Sequence, residues 1–220
     1  MGGGTEGVVR NFILLKNQNI QNVFAVIFGN FPIFIYTPCA SVLVTFRKMP
    51  PLLIAVEGNI GAGKTTVLKE LESRGHRVFY ENLESWKPLL DLFYETPERW
   101  SFALQVAILQ DMHVGGLKAR VLENERLVFF ERSPQSSKIF TILSHARKYL
   151  TDIELNTYHE LFGCIGWKPD VTVFIDTPPE LCQKRIEERN RPGEAAISLK
   201  YLEEIDTHHR NKDLIPTVHV

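Results

Sequence analysis

The stretch Gly58-Asn59-Ile60-Gly61-Ala62-Gly63-Lys64-Thr65 fits the pattern G-x-x-x-x-G-K-[ST] without a mismatch. The pattern demands a strand before it and a helix after it. Leu52 to Val56 is a short apolar run of buried-strand type. Thr66-Val67-Leu68-Lys69-Glu70-Leu71 opens a helical stretch that Gly75 can end. Glycines let successive backbone N–H groups curl round a phosphate anion, and the helix N-terminus adds partial positive charge. Lys64 supplies a full charge for the β- and γ-phosphates, and Thr65 a hydroxyl for Mg²⁺. The loop points to a nucleoside triphosphate without specifying the reaction.

The remaining bulk properties mainly exclude. A chain of 220 residues has room for one domain with a real core. Its net charge of −1 gives no electrostatic reason to expect nucleic-acid or membrane binding by the whole molecule. Cys39, Cys164 and Cys182 are far apart and odd in number, with no C-x-x-C, so neither a zinc site nor a disulfide framework is indicated. A reduced, cytoplasmic compartment is the default.

Residues 1–48 differ in character from 49–220. Asn17 to Phe46 carries no charge, and Val23 to Phe46 is rich in Phe, Ile and Val, broken by Gly29, Pro32 and Pro38. A membrane anchor has the length but carries two internal prolines. A secretory signal or a mitochondrial presequence also competes, the latter with too little Arg and Ser. The plainest expectation is an extension of unknown role that the domain does not need, with Met49 placed to serve as an alternative start.

Along the second segment, Arg77-Val78-Phe79-Tyr80 reads as a strand ending at Glu81. In an open α/β sheet the ligand sits beyond the carboxyl ends of the strands. Glu81 there is either a proton acceptor or a solvated loop acid, and Glu84 has the same two readings. Pro97 to Arg120 reads as a long helix with proline in its first turn, loosened or ended at Gly115-Gly116. Gln105, Ile108 and Met112 form one stripe of it. The Gln amide pairs either with neighbouring backbone or with a base edge. Leu127 to Phe130 is a third strand, followed by Glu131-Arg132-Ser133, an acid suited to Mg²⁺ and a cation suited to phosphate. Residues 134–163 read as two helices broken near Tyr149-Leu150-Thr151, and Asp170 to Asp176 as a fourth strand. Thr177-Pro178-Pro179-Glu180 has the form of a capping box. Arg185, Arg189 and Arg191, running into Pro192-Gly193, form either a solvated face or a basic flap that closes over a transferring phosphoryl group. Leu199 to His209 is a last helix, and residues 214–220 could add a fifth strand.

These motifs, in this order, resemble the deoxynucleoside kinase family over about residues 50–210. The likeness rests on Glu57 to Thr66, Glu81 five residues before Trp86, Pro97 to Phe102, Phe129 to Ser133, the Arg185/Arg189/Arg191 flap and Leu199 to Leu202. The resemblance implies a phosphate-loop kinase fold, an α/β arrangement with a parallel sheet of about five strands flanked by helices and an arginine-rich lid. It implies ATP and Mg²⁺, a deoxynucleoside substrate and a homodimer. By the same resemblance Glu81 is the base for the 5′-hydroxyl, Tyr94 and Glu194 hold the 3′-hydroxyl, and Gln105 reads the base beside Trp86. Glu131 and Arg132 serve Mg²⁺ and phosphate. Met112 and Ser137 stand where deoxycytidine-preferring relatives carry Arg and Asp, which favours thymidine first and deoxycytidine second. A nucleoside monophosphate kinase is the alternative enzyme. A catalytically silent structural subunit is the alternative outside catalysis.

Overall fold

The computed structural model describes residues 12–14, 23–28, 31–36, 50–122, 124–191, 193–194 and 197–211. The chain divides into two units, Met1–Lys48 and Met49–Val220. The first holds an antiparallel sheet of β1 (Phe12–Leu14), β2 (Val23–Phe28) and β3 (Phe31–Tyr36) in the order β1-β2-β3. None of these strands is expected from the sequence. The density of Val, Ile and Phe that suggests an anchor or a leader is equally what a pleated strand favours. No helix among the described residues is long and apolar enough to cross a membrane.

In the second unit, β4 (Leu52–Gly58) runs through the middle of a parallel sheet. Its neighbours are β6 (Leu127–Glu131) and β7 (Val171–Ile175), with β5 (Arg77–Phe79) outside β6, giving the order β5-β6-β4-β7. A strand buried on both faces must be apolar throughout rather than alternating, which explains the run Leu53-Ile54-Ala55-Val56. Leu53 faces a layer with Val128, Phe130, Ala119 and Trp167, whereas Ile54 and Val56 face Leu68, Val78 and Phe129. Each such side chain contributes about 1.5–3 kcal/mol by leaving water. The fifth strand expected over 214–220 lies outside the described residues.

Helices cover both faces. They are α1 (Lys64–Ser73), α2 (Leu83–Glu95), α3 (Pro97–Arg120), α4 (Pro134–Ala146), α5 (Asp152–Ile165), α6 (Pro179–Arg189) and α7 (Leu199–Arg210). Helix α2 was not legible beforehand: Pro88 lies inside it and no side chain caps its start.

Two local expectations are overturned. Helix α3 passes straight through Gly115-Gly116 to Arg120. Gly116 lies so close to Trp167 that an added Cβ would stand 2.5 Å from the indole Nε1. The glycine is therefore a notch for the ring, and tertiary packing outweighs the roughly 1 kcal/mol of helix propensity it forfeits. Trp167 is locked there by its N–H donating to the Met112 carbonyl at 2.8 Å. Gly116→Ala should overpack this contact and lower stability by about 1–3 kcal/mol, read as a shift in denaturant midpoint. An unchanged midpoint would show that the indole moves freely.

The second correction concerns Thr177, which makes no capping box. Pro178 occupies the N-cap of α6 without a side-chain cap, while the Thr177 hydroxyl donates to the Ala62 carbonyl at 3.0 Å. The capping box sits instead at the start of α5, where Thr151 and Glu154 satisfy each other's backbone N–H groups.

Candidate active site

The loop between β4 and α1 is pinned from three directions. Asn59 Nδ2 donates to the Leu202 carbonyl of α7 at 2.8 Å, Thr177 reaches Ala62, and Arg185 Nη1 donates to the carbonyls of Gly61 and Ala62 at 3.4 and 3.1 Å. Gly61 has φ of +78°, and a Cβ there would meet the Cys182 carbonyl oxygen at 2.6 Å. Only glycine allows this curl with α6 so near. Gly58, Gly63 and Thr66 complete the loop and the opening of α1.

Lys64 is buried, with Nζ donating to the carbonyls of Asn59 and Gly58 at 2.8 and 3.3 Å. Burial, reinforced by the Arg132 charge, pulls its pKa down to about 7. A phosphate anion beside it would favour the charged form again. Thr65 donates its hydroxyl to Glu131 Oε1 at 2.6 Å. Two hard oxygens at the mouth of a phosphate loop fit Mg²⁺, which is held by one or two protein oxygens, phosphates and water rather than by a full protein cage. Among the described residues no group of three or more His, Cys, Asp or Glu side chains is placed to hold a metal.

Arg132 is the centre of the site. Its backbone is left-handed, with φ of +69°, a conformation that costs a non-glycine residue about 1 kcal/mol or more. Its guanidinium is buried, with Nη1 donating to the Gly58 carbonyl at 3.0 Å and Nε 3.1 Å from Glu81 Oε1. Glu81 is partly open, and burial raises its carboxyl pKa against the pull of Arg132 and Lys64. A carboxylate held at hydrogen-bond distance from a fixed cation, yet made more basic by its surroundings, can accept a proton. Glu84 is exposed on the first turn of α2 and does not line the cavity.

These groups open into a cavity of about 430 Å³, within the range of a small-molecule site. Its phosphate end carries Ile60, Lys64, Thr65, Glu131 and Arg132. Its far end is formed by helix side chains: Trp86 and Tyr94 of α2, Gln105, Ile108 and Met112 of α3, and Ser137 of α4. Gln105 Oε1 is buried with no partner among the described residues, an unmet polar group of the kind a ligand can satisfy. Ser137 is buried and accepts from the Tyr158 hydroxyl at 2.7 Å.

The arginine segment divides its labour. Arg189 and Arg191 line the cavity, but Arg185 is turned onto the loop carbonyls. Arg189 makes a forked pair with Glu194, whose oxygens lie 2.8 Å from Nη2, and Arg191 stands 3.9 Å from the same carboxylate. Tyr94 also lines the cavity, its phenol pushed up to about 12 by burial and by the Glu194 charge. The site residues named from sequence thus converge, apart from Arg185, which acts on the loop instead. Glu57 and Ser133, named from sequence only as parts of motifs and given no role, lie beneath the Arg132 turn with Ser136, which was missed, as was Phe140, whose ring Arg132 covers at 5.1 Å. An acid closing an otherwise apolar strand was the one signal for the first of these.

A parallel sheet with this loop at the end of its central strand, a carboxylate beyond the next strands and arginines over the cavity define a phosphate-loop kinase. The chain matches the deoxynucleoside kinase family over residues 54–214. It is 33% identical over 160 residues to a deoxyguanosine kinase of Dictyostelium discoideum, covering 70% of this chain and 56% of that one. A thymidine kinase of Ictalurid herpesvirus 1 (strain Auburn) is 32% identical over 165 residues, 69% of each chain. A deoxyadenosine/deoxycytidine kinase of Bacillus subtilis (strain 168) is 30% identical over 166 residues, 72% of this chain and 75% of that one. The chain belongs to the deoxynucleoside kinase family, and its activity is deoxynucleoside phosphorylation, a nucleotide-salvage reaction. ATP with Mg²⁺ and a deoxynucleoside are the substrates the family implies.

Proposed function

We propose that this kinase transfers the γ-phosphoryl group of ATP to the 5′-hydroxyl of a pyrimidine deoxynucleoside, with thymidine preferred and deoxycytidine second. The observation that carries the reading is a cavity that sets Glu81 and Arg132 between a phosphate loop and an apolar, amide-bearing far end. Thr65 and Glu131 are the side chains that would hold Mg²⁺, directly or through water, and the ion would supply neutralisation of charge developing on the phosphates. Lys64 orients the β- and γ-phosphates. Glu81 accepts the hydroxyl proton, and Arg132 holds Glu81 in place and faces the incoming phosphoryl group. Arg189 and Arg191 add positive charge from the lid, and catalysis is positioning plus electrostatic stabilisation. Tyr94 and Glu194 hold the 3′-hydroxyl. Gln105 pairs with the base edge, Trp86 and Ile108 wall it, and Met112 packs against a thymine methyl.

Incubating the purified protein with Mg-ATP and four deoxynucleosides, alongside the four monophosphates, tests this. Thymidine should yield its 5′-monophosphate with the highest kcat/KM. Faster use of deoxyguanosine or deoxyadenosine would refute the pocket reading, and phosphorylation of monophosphates alone would refute the acceptor.

Residues 49–220 form the kinase domain in this reading, and 1–48 an extension dispensable for catalysis. A protein started at Met49 should phosphorylate thymidine with kcat and KM within about twofold of the full chain. An insoluble or inactive product would sink that division. The domain is proposed to be a cytoplasmic homodimer, its free thiols Cys164 and Cys182 suiting a reduced compartment. Light scattering and cell fractionation check these two points.

A further inference from the structure

Glu57 ends the apolar run of β4 immediately before the phosphate loop, yet its carboxylate does not enter the cavity. It is 0% exposed. A carboxyl group taken wholly out of water must be held by donors or cations. Two hydroxyls supply the donors: Ser133 Oγ donates to Oε1 at 2.6 Å, and Ser136 Oγ donates to Oε2. The Arg132 and Lys64 charges act on it as well, against the effect of burial. His209 of α7 closes the far side, with Nε2 3.9 Å from Oε2. That imidazole contributes no charge, since burial, reinforced by the Arg132 charge, drives its pKa down to about 3 even though Nδ1 donates to the Ile205 carbonyl at 2.9 Å.

The position of the two serines matters more than their number. Ser133 follows Arg132 directly, and Ser136 lies in the first turn of α4. Arg132 itself occupies the left-handed region, and its backbone N–H donates to the Val56 carbonyl, next to Glu57, at 3.0 Å. A strained residue persists only where its surroundings over-determine it. Here β4 grips the Arg132 turn from one side through the Val56 carbonyl and from the other through the Glu57 carboxylate. The guanidinium is then delivered to Glu81 and to the Gly58 carbonyl.

We propose that Glu57 is a positioning residue: by holding Ser133 and Ser136 it fixes the Arg132 turn, and so sets where the Arg132 guanidinium stands relative to Glu81 and the phosphate loop. The role rests on the kinase reading only in that Arg132 is taken to face the transferring group.

A double-mutant cycle tests it. Glu57→Gln keeps the shape but removes one of the two oxygens that accept from the serines. It should lower kcat about tenfold, the scale of one hydrogen bond to a charged group, while KM for thymidine changes less than about threefold. In an Arg132→Ala background the same change should have almost no further effect, because the residue it positions is gone. Ser136→Ala, which removes one donor but leaves the carboxylate with Ser133 and the Arg132 charge, should show the same loss alone and the same silence beside Arg132→Ala. Wild-type kcat in Glu57→Gln and Ser136→Ala would overturn the proposal. So would a loss that multiplies with that of Arg132→Ala, the pattern of a general fold defect. Should the wild type phosphorylate no nucleoside, it is the kinase reading that fails. The cycle is then read on the rise in Tm produced by ATP, where the same non-additivity is expected and its absence refutes the role of Glu57.

Discussion

Glu81→Gln should lower kcat by roughly 100-fold or more while leaving nucleoside affinity nearly intact. The amide is the same size and its oxygen can still accept from Arg132 Nε, now 3.1 Å from the Glu81 carboxylate. What it cannot do is take a proton. The ground-state contacts survive, so the loss falls on the transition state and appears in kcat rather than in binding. The carboxylate is well prepared for the task, because burial raises its pKa while Arg132 and Lys64 restrain the rise. Steady-state kinetics with thymidine, together with a binding isotherm for thymidine alone, separates the two effects. Turnover within a few-fold of wild type would remove Glu81 from the mechanism, and exposed Glu84 offers no substitute at the cavity.

Met112→Arg combined with Ser137→Asp should reduce kcat/KM for thymidine at least about tenfold more than for deoxycytidine. Both positions line the same cavity, one on α3 and the other on α4. Met112 offers an apolar, adaptable surface to a methyl group, and Ser137 is small. A carboxylate at 137 would still accept from the buried Tyr158 hydroxyl, which now donates to Ser137 at 2.7 Å. Its other oxygen could accept from an exocyclic amine but would meet a carbonyl oxygen with repulsion. Arg at 112 would steady that carboxylate and displace the methyl contact. Equal losses for the two nucleosides would mean that these positions shape the cavity without selecting the base.

The phosphate end was readable from sequence because it is local. Gly58 to Thr65 is one turn of chain, and Glu131-Arg132-Ser133 follows its strand without a gap. Glu81 and the arginines were readable as candidates because strand ends and a basic run are themselves local patterns. What could not be read was how distant pieces meet. Glu57 and Ser136 are 79 positions apart, and only the parallel pairing of β4 with β6 brings their elements together. Gly116 looked like a helix breaker because the ring that needs its missing side chain lies on the far side of α5. Thr177 looked like a cap because its acceptor, the Ala62 carbonyl, is 115 positions earlier.

The way the cavity is divided between strand ends and helices bears on how such enzymes change. Phosphate handling is anchored to backbone at the centre of the sheet, where a shift of one residue would disturb several contacts at once. In the proposed reading the end facing the base is built from side chains on α2, α3 and α4, none of them on a strand. Selection on base choice can therefore act one side chain at a time while the transfer chemistry stays constant. That separation suits a lineage whose members bear the names of thymidine, deoxyguanosine and deoxyadenosine/deoxycytidine kinases at about 30% identity to this chain.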